Sequence, residues 1–131
     1  MSTFPNDRRY TVDHEWAKQE GGSVVIGVSS FAVEQLGDIT LVSIDASVGD
    51  HLEAGKAFGT IESVKTLSDL LAPMSGILEA VNGELEDSPE TINDDCYGKG
   101  WMIKIKPASS ADLDKLMDDA AYETHVKSSP H

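Results

Sequence analysis

The feature that most restricts the fold of this chain is a series of short apolar segments separated by glycines and other turn residues. The segments with the length and β-branched content of strands are 23–28, 39–44, 57–64, 77–81 and 101–106. The last of these alternates most regularly between apolar and polar residues. The dipeptides Gly21-Gly22 and Asn82-Gly83 are turn signals typical of hairpins. Short strands at this spacing predict a mainly β fold, arranged as an antiparallel sandwich or a flattened barrel.

Short helices are predicted between the strand segments. Ser29 or Ser30 can cap a helix that ends at Leu36, because the glycine that follows, Gly37, is a typical helix stop. A further helical turn can begin at Ser88, with the next residue, a proline, in its first position. The fold class predicted from these patterns is therefore mainly β with a minor helical part.

The C-terminal region has the pattern of one amphipathic helix. Residues 109–112 resemble a capping box, and apolar residues then recur at helical spacing. These residues are Leu113, Leu116, Met117, Ala120 and Ala121. We expect this apolar face to pack on the core and the tail 127–131 to be flexible. With no linker or low-complexity run in the sequence, residues 1–131 are predicted to form a single domain.

The charge of the chain limits its partners. Its 131 residues include 10 Lys and Arg and 23 Asp and Glu, for a formal net charge of −13. Binding to nucleic acid or to an anionic membrane would need clustered basic residues, so we expect neither partner. The acidic residues are concentrated in the segment 79–95, which contains no Lys or Arg, and this favours basic surfaces on partner proteins.

Cysteine content and the N-terminal residues indicate the compartment. A single cysteine, Cys96, cannot form an internal disulfide, which suits a reducing environment. The first residues lack the apolar core of a signal peptide, and no apolar run has the length of a membrane span. We expect a cytoplasmic protein of bacterial type, although a mature protein of the mitochondrial matrix would share these features.

One lysine stands apart from the other basic residues. Between Lys56 and Lys99 the only basic residue is Lys65, and strand-like segments flank it on both sides. This placement predicts that Lys65 occupies the tip of a β-hairpin. A lysine there can be an ordinary solvated residue, or a site that a modifying enzyme reaches and whose charge acylation removes. A Schiff-base lysine would instead need a desolvated pocket that lowers its pKa.

Four motifs stand in order along the chain around this lysine. They are HEW at 14–16, ESVK at 62–65, EDSPE at 86–90 and GWMIKIKP at 100–107. In this order they resemble the glycine cleavage system H protein family of lipoyl carrier proteins, and the resemblance covers about residues 8 to 126. The sequence departs from the family pattern at Cys96, where the family usually has proline.

The resemblance implies a lipoyl-domain-like fold, a hybrid barrel or flattened sandwich with the modified lysine at a hairpin tip and a C-terminal helix. It implies lipoate in amide linkage to Lys65 and a carrier that is not itself an enzyme. Such a carrier would shuttle the aminomethyl group of glycine from a pyridoxal-phosphate glycine decarboxylase to a tetrahydrofolate-dependent aminomethyltransferase. Dihydrolipoyl dehydrogenase would reoxidise it, and lipoate-attaching enzymes would modify it. We expect it to be a monomer.

By resemblance, Glu15 and Asp69 are candidates for contacting the aminomethyl-bearing arm, with Asp13 as a third. A carboxylate beside the amine would favour the protonated form, which cannot help to expel the sulfur. Glu62 and Ser63 flank the lysine closely, and we expect the lipoate-attaching enzyme to read them. Asp69 could instead cap a turn.

Three other functions remain open at this point. The lipoyl group on Lys65 could be relayed to 2-oxoacid dehydrogenase complexes. A biotin carrier fits less well, because that family flanks its lysine with methionines and this chain has Val64 and Thr66. An enzyme with a Schiff base at Lys65 would lack an accompanying general acid. No metal site is predicted, since the histidines are scattered and Cys96 has no second ligand at a useful spacing.

Overall fold

The computed structural model of the protein describes residues 4–109 and 111–128. The strands are β1 (Arg9–Tyr10), β2 (Glu15–Glu20), β3 (Ser23–Val28), β4 (Ile39–Ile44), β5 (His51–Leu52), β6 (Ala57–Ser63), β7 (Leu67–Leu71), β8 (Gly76–Val81) and β9 (Ile103–Pro107). The helices are α1 (Ser30–Leu36), α2 (Glu84–Asp87), α3 (Thr91–Asp95), α4 (Ala111–Asp114) and α5 (Asp119–Ser128). The mainly β fold with short helices that the sequence predicts is confirmed.

The strands form two antiparallel sheets around a shared apolar core. The larger sheet has the order β1-β2-β3-β9-β8-β5, and the smaller sheet has the order β4-β6-β7. Ala17 and Ile26 of the larger sheet and Val42, Ile61 and Leu70 of the smaller one are buried in the same cluster. In β3, for example, Val24 and Ile26 belong to this core, whereas Val25 between them belongs to a second apolar cluster.

Trp16 anchors the first hairpin of the larger sheet. The two-residue turn at Gly21 and Gly22 joins β2 to β3, as predicted, and it sets Trp16 opposite Gly27. A Cβ atom at Gly27 would lie 2.7 Å from the indole ring, so only glycine leaves room for the tryptophan. The indole N–H donates to the carbonyl oxygen of Cys96 at 2.9 Å, which satisfies its buried polar atom. This packing fixes the strand that begins with Glu15.

The predicted hairpin turn at Asn82-Gly83 is wrong. Two short helices, α2 and α3, lie between β8 and β9. We call this segment, residues 82–102, the α2–α3 excursion. The Asn82 side chain donates to the carbonyl oxygens of Lys99 and Trp101, at 2.9 and 2.7 Å, and so links the two ends of the excursion. The excursion adds Leu85 and Ile92 to the core, and that burial outweighs the local preference for a tight turn.

Several predicted boundaries are also corrected. The strand predicted over 57–64 ends at Ser63, and the one predicted over 101–106 covers Ile103–Pro107. The helical turn expected from Ser88 begins later, at Thr91.

The single C-terminal helix predicted from the apolar spacing is wrong. The chain forms two helices, α4 and α5, because the backbone of Met117 between them pairs with Tyr10 through two hydrogen bonds of 2.8 and 3.0 Å. Ala120 and Ala121 are exposed, and α5 buries Tyr122 instead. A backbone pairing with a distant residue, which local periodicity does not record, interrupts the helix.

The predicted tail 127–131 begins within this last helix. Lys127 and Ser128 form the end of α5, and residues 129–131 lie outside the described part of the chain.

Candidate functional site

Lys65 lies at the tip of the hairpin formed by β6 and β7, as the sequence predicts. Only residues 64–66 separate the two strands, and the Lys65 side chain is exposed. The turn is closed by a backbone hydrogen bond of 2.8 Å from the amide of Ser63 to the carbonyl oxygen of Thr66. The lysine is therefore presented on a short, hydrogen-bonded turn.

The Ser63 hydroxyl shapes this turn from inside. It accepts hydrogen bonds from the amides of Lys65 and Thr66, each at 3.2 Å, and donates to the carbonyl oxygen of Thr66 at 3.2 Å. Ser63 is buried, whereas Glu62 is exposed on the sheet surface. Of the two residues predicted to be read by an attaching enzyme, Glu62 is accessible and Ser63 acts on the turn itself.

A glycine lies beneath the lysine side chain. Gly37 ends α1 with a φ of 78°, and a Cβ atom there would lie 3.3 Å from the Cε of Lys65. Beside it, the Val64 amide donates to the carbonyl oxygen of Asp38 at 3.1 Å. Any other residue at position 37 would be strained at this φ and would press on the lysine stem. Sequence reasoning identified Gly37 only as a helix stop.

The sheet surface next to the turn exposes apolar side chains. Leu41, Glu62 and Leu67 lie opposite one another on β4, β6 and β7 and form one row across the smaller sheet. Leu67 is 62% exposed, and Leu41 and Val64 are also exposed. We call Leu41, Val64 and Leu67 the apolar patch. Leu41 and Leu67 lie on either side of Glu62, so the surface beside the turn combines exposed apolar side chains with a carboxylate.

Glu15 is a buried carboxyl group at the start of β2. It is 3% exposed, and its Oε2 accepts a 2.7 Å hydrogen bond from the amide of Leu71 on the edge strand β7. Its Oε1 is buried and has no partner within the described residues. Burial raises the pKa of Glu15 to about 8; the Leu71 amide opposes this shift and the nearby charge of Asp13 adds to it. The neutral form of the carboxyl group is thus favoured at pH 7, and among the described residues no group binds Oε1.

The loop before Glu15 is held by a network that sequence reasoning did not identify. The Thr11 hydroxyl accepts hydrogen bonds from the amides of Asp13 and Glu15, both at 3.2 Å. His14 has a φ of 70°, which is uncommon for a residue other than glycine. Its Nδ1 lies 2.8 Å from the hydroxyl of Tyr122 on α5. The C-terminal helix therefore takes part in fixing the backbone conformation from which Glu15 projects.

A surface cleft opens beside Glu15. It has a volume of about 270 Å³, and Asp13, Glu15, Ala72, Pro73 and Met117 are among the residues that line it. Asp69 does not line this cleft and is exposed on β7, opposite Thr60. The structure thus brings Glu15 and Asp13 to one cleft and places Asp69 on the neighbouring sheet.

Strand β7 connects the lysine turn to this cleft. It leaves the turn at Leu67 and ends at Leu71, whose amide binds Glu15. At about 3.3 Å per residue, the five steps from Thr66 to Leu71 span roughly 17 Å. Strand β7 therefore separates the lysine turn from the backbone amide that binds Glu15 by a distance of this order.

The described residues contain no group of three or more His, Cys, Asp or Glu side chains arranged to hold a metal ion. In the same part of the chain, every helix is too short or too polar to cross a membrane.

Comparison with known proteins reveals close relatives. Residues 8–129 match the sequence profile of a family described as Glycine cleavage H-protein. The chain is 49% identical over 124 residues to the glycine cleavage system H protein of Anaeromyxobacter sp. (strain K), which covers 95% of this chain and 96% of that protein. It is 50% identical over 123 residues to that of Bacteroides fragilis, with coverage of 94% and 97%.

A solved crystal structure is similar to this chain in both fold and sequence. The crystal structure of a glycine cleavage system H protein from Mycobacterium marinum aligns with a TM-score of 0.86 at 40% sequence identity. The alignment covers 94% of this chain and 98% of that one. Each of these similarities extends over nearly the full length of both proteins.

Proposed function

The chain belongs to the family of glycine cleavage H-proteins, and we propose that it is the non-catalytic carrier of its glycine cleavage system, with lipoate in amide linkage to Lys65. It would carry the aminomethyl group from glycine decarboxylase to the aminomethyltransferase and be reoxidised by dihydrolipoyl dehydrogenase. The observation that supports this most strongly is Lys65 itself, exposed on a hydrogen-bonded hairpin turn. The relatives described above are bacterial, and a cytoplasmic location belongs to the same proposal.

The residues around Lys65 fit a lipoyl group. The absence of a side chain at Gly37 leaves room beside the lysine stem, and β7 leads from the turn to the cleft. Lipoate supplies a disulfide that can take up electrons and a one-carbon unit, and the protein supplies its attachment and surroundings. Glu15 lines the cleft, its buried Oε1 has no hydrogen-bond partner among the described residues, and in the ionised form this oxygen would be an acceptor suited to a cationic amine.

Glu15 can protect an aminomethyl cargo by changing its own protonation. Burial raises the pKa of Glu15 to about 8, which favours the neutral carboxyl group at pH 7. A cationic amine beside Oε1 favours the ionised carboxylate, and the carboxylate in turn favours the protonated amine. A protonated amine has no free lone pair with which to expel sulfur. Glu15 would therefore slow the loss of the cargo, and Asp13 at the same cleft would add negative charge. A contribution from Asp69 remains a prediction.

Replacing Glu15 with alanine is expected to accelerate hydrolysis of the aminomethyl cargo, roughly tenfold, because one charge-assisted contact is lost. Lipoylation at Lys65 should be unchanged, since the hairpin turn does not involve Glu15. Release of the one-carbon unit as formaldehyde measures the first effect, and intact mass measures the second. Glu20→Ala, at the exposed far end of β2, is the matched control. Release at the wild-type rate from Glu15→Ala would contradict the protective role.

The apolar patch provides a surface for partner enzymes. It adjoins the turn that carries Lys65, and Asp38, Glu62 and Asp69 expose negative charge nearby. We propose that glycine decarboxylase contacts this surface through an apolar region bordered by basic residues. Apolar contact would supply affinity, and the opposite charges would raise the encounter rate.

Replacing Leu67 with serine is expected to raise the apparent KM of the decarboxylase for the carrier several-fold, with little change in kcat. The reason is that apolar area is lost from docking and not from the chemistry. Ile77→Ser is the matched control, because Ile77 is also an exposed strand residue, 40% exposed, but lies on the other sheet. Equal KM values for the two variants would argue against docking at the patch.

The proposed function is tested by reconstitution. The lipoylated protein is combined with glycine decarboxylase, and release of carbon dioxide from glycine is measured with and without it. Release that depends on the lipoylated protein is expected. A protein that accepts lipoate but supports no release would refute a role in glycine cleavage and would leave the relay of lipoyl groups to 2-oxoacid dehydrogenases as the alternative.

A further inference from the structure

Asn93 binds the backbone on which the Lys65 turn rests. Its Nδ2 donates to the carbonyl oxygen of Gly37 at 2.9 Å, and its Oδ1 accepts from the amide of Ile39 at 2.9 Å. The Asn93 side chain thus binds the carbonyl group before Asp38 and the amide group after it. We call residues 37–39 the platform. Asn93 lies on α3, and the neighbouring side chain of Ile92 is completely buried, which anchors this short helix to the core.

The platform contacts the Lys65 turn at two points. The carbonyl oxygen of Asp38 accepts the amide hydrogen of Val64 at 3.1 Å, and a Cβ atom at Gly37 would lie 3.3 Å from the Cε of Lys65, so the lysine stem runs close to this glycine. Ile39 is also paired with Ser63, whose hydroxyl organises the turn. The position of residues 37–39 therefore determines where the residue before the lysine, and the stem of the lysine itself, are held.

We propose that Asn93 is a positioning residue for Lys65, and that it holds the platform so that the lysine amine is presented in one orientation to the enzyme that acylates it. The inference rests on the proposed function for the identity of the acyl group. In the acylation, deprotonated Nζ forms an amide bond with an activated lipoyl carboxyl group, whose leaving group departs. Asn93 takes no part in those bonds; it limits the orientations from which Nζ attacks.

Asn82 offers a matched control within the same chain. Its side chain also makes two hydrogen bonds to backbone groups, the carbonyl oxygens of Lys99 and Trp101. Among the described residues, no hydrogen bond joins these carbonyl groups to residues 63–66. Asn93→Ala and Asn82→Ala each remove two hydrogen bonds to the backbone, so a general loss of stability affects both.

The experiment compares lipoylation of the wild-type full-length chain, Asn93→Ala and Asn82→Ala by a lipoate–protein ligase supplied with lipoate and ATP. Intact mass follows the modification. Asn93→Ala is expected to lower kcat/KM roughly tenfold, and Asn82→Ala to remain within about twofold of wild type. Hydrogen exchange of the Val64 amide gives a readout independent of the ligase. It should accelerate in Asn93→Ala and not in Asn82→Ala, beyond the change in global stability of each.

Asn93→Asp is the second variant, and it guards against misfolding of the alanine variant. Aspartate can still accept from the Ile39 amide but cannot donate to the Gly37 carbonyl, so lipoylation should fall between wild type and Asn93→Ala. Equal lipoylation of the Asn93 and Asn82 variants, or unchanged exchange of the Val64 amide, overturns the inference while the proposed function stands. A wild-type chain that gains no lipoyl mass overturns the proposed function and this inference together.

Discussion

Replacement of Lys65 with arginine is expected to abolish both lipoylation and glycine-dependent release of carbon dioxide. The arginine guanidinium stays protonated and offers no nucleophilic amine, so no amide bond to lipoate can form. The substitution keeps the positive charge and a long side chain. Lys65 is exposed, and no ion pair that involves it is found among the described residues. The thermal midpoint should therefore stay close to that of wild type.

Intact mass after incubation with a lipoate–protein ligase measures the first effect, and the decarboxylase reconstitution measures the second. Lys56→Arg is the matched control, since Lys56 is also exposed and lies just before β6. We expect Lys56→Arg to gain one lipoyl group and to support the reaction. A lipoyl adduct on Lys65→Arg would show that another residue is the attachment site. An adduct with the mass of biotin on the wild-type protein would identify a different class of carrier.

Replacement of Glu15 with glutamine is expected to make the protein more stable than wild type at pH 8 and to remove part of its pH dependence. Burial raises the pKa of Glu15 from its ordinary value of 4.5 to about 8 in the folded protein. Below pH 4.5 the carboxyl group is protonated in both the folded and the unfolded state, so it contributes no pH dependence there. Between pH 4.5 and 8 the unfolded state releases the proton and the folded state retains it, so the free energy of unfolding falls as the pH rises. Above pH 8 both states are ionised and the contribution is again constant.

The change in the free energy of unfolding follows from the pKa shift of Glu15, at about 1.4 kcal/mol for each pKa unit. Between pH 4.5 and 8 it amounts to several kcal/mol. Glutamine has no proton to release, so the difference in stability between Glu15→Gln and wild type should grow as the pH rises through this range. Urea unfolding at several pH values measures it, and the difference cancels the contribution of the other carboxyl groups. Glu62→Gln is the control, because Glu62 is exposed. A difference that does not change between pH 5 and 8 would mean that Glu15 is ionised in the folded cleft.

The same burial connects stability to function. Burial favours the neutral acid at Glu15, whose Oε1 has no partner among the described residues, and under the proposed function the carboxylate would form when a cationic amine pairs with it. Removing the acid should therefore stabilise the empty protein and shorten the lifetime of its cargo. Opposite effects of one position on stability and activity are typical of functional sites.

Local sequence patterns predicted much of the fold and part of the site. The β3, β4, β6, β8 and β9 segments were predicted from their apolar content and alternation, with small boundary errors. The hairpin position of Lys65 followed from the strand-like segments on both sides. Glu15 was identified through the resemblance of its motif, whereas its burial was not predicted. The role of Asn93 was not predicted, because nothing in its sequence neighbourhood indicates two backbone partners more than fifty residues away.

The errors have a common origin in contacts between distant residues. The C-terminal helix is interrupted because Met117 pairs with Tyr10, and the expected turn at Asn82 opens into two helices that bury Leu85 and Ile92. Helix propensity and hydrophobic periodicity depend on residues a few positions apart. They therefore do not report the pairing of Met117 with Tyr10 or the core residues that Leu85 and Ile92 contact.

The sequence by itself determined the class of fold, the hairpin lysine and the family, since strand alternation, turn residues and motif order are local properties of the chain. Only the tertiary structure decided that Glu15 is a buried acid facing a cleft, that Asp69 lies elsewhere, and that Asn93 supports the lysine platform. The pKa of a carboxyl group and the partners of a side chain depend on which distant residues exclude water and offer hydrogen bonds. Those residues meet only when the two sheets and the helices are packed together.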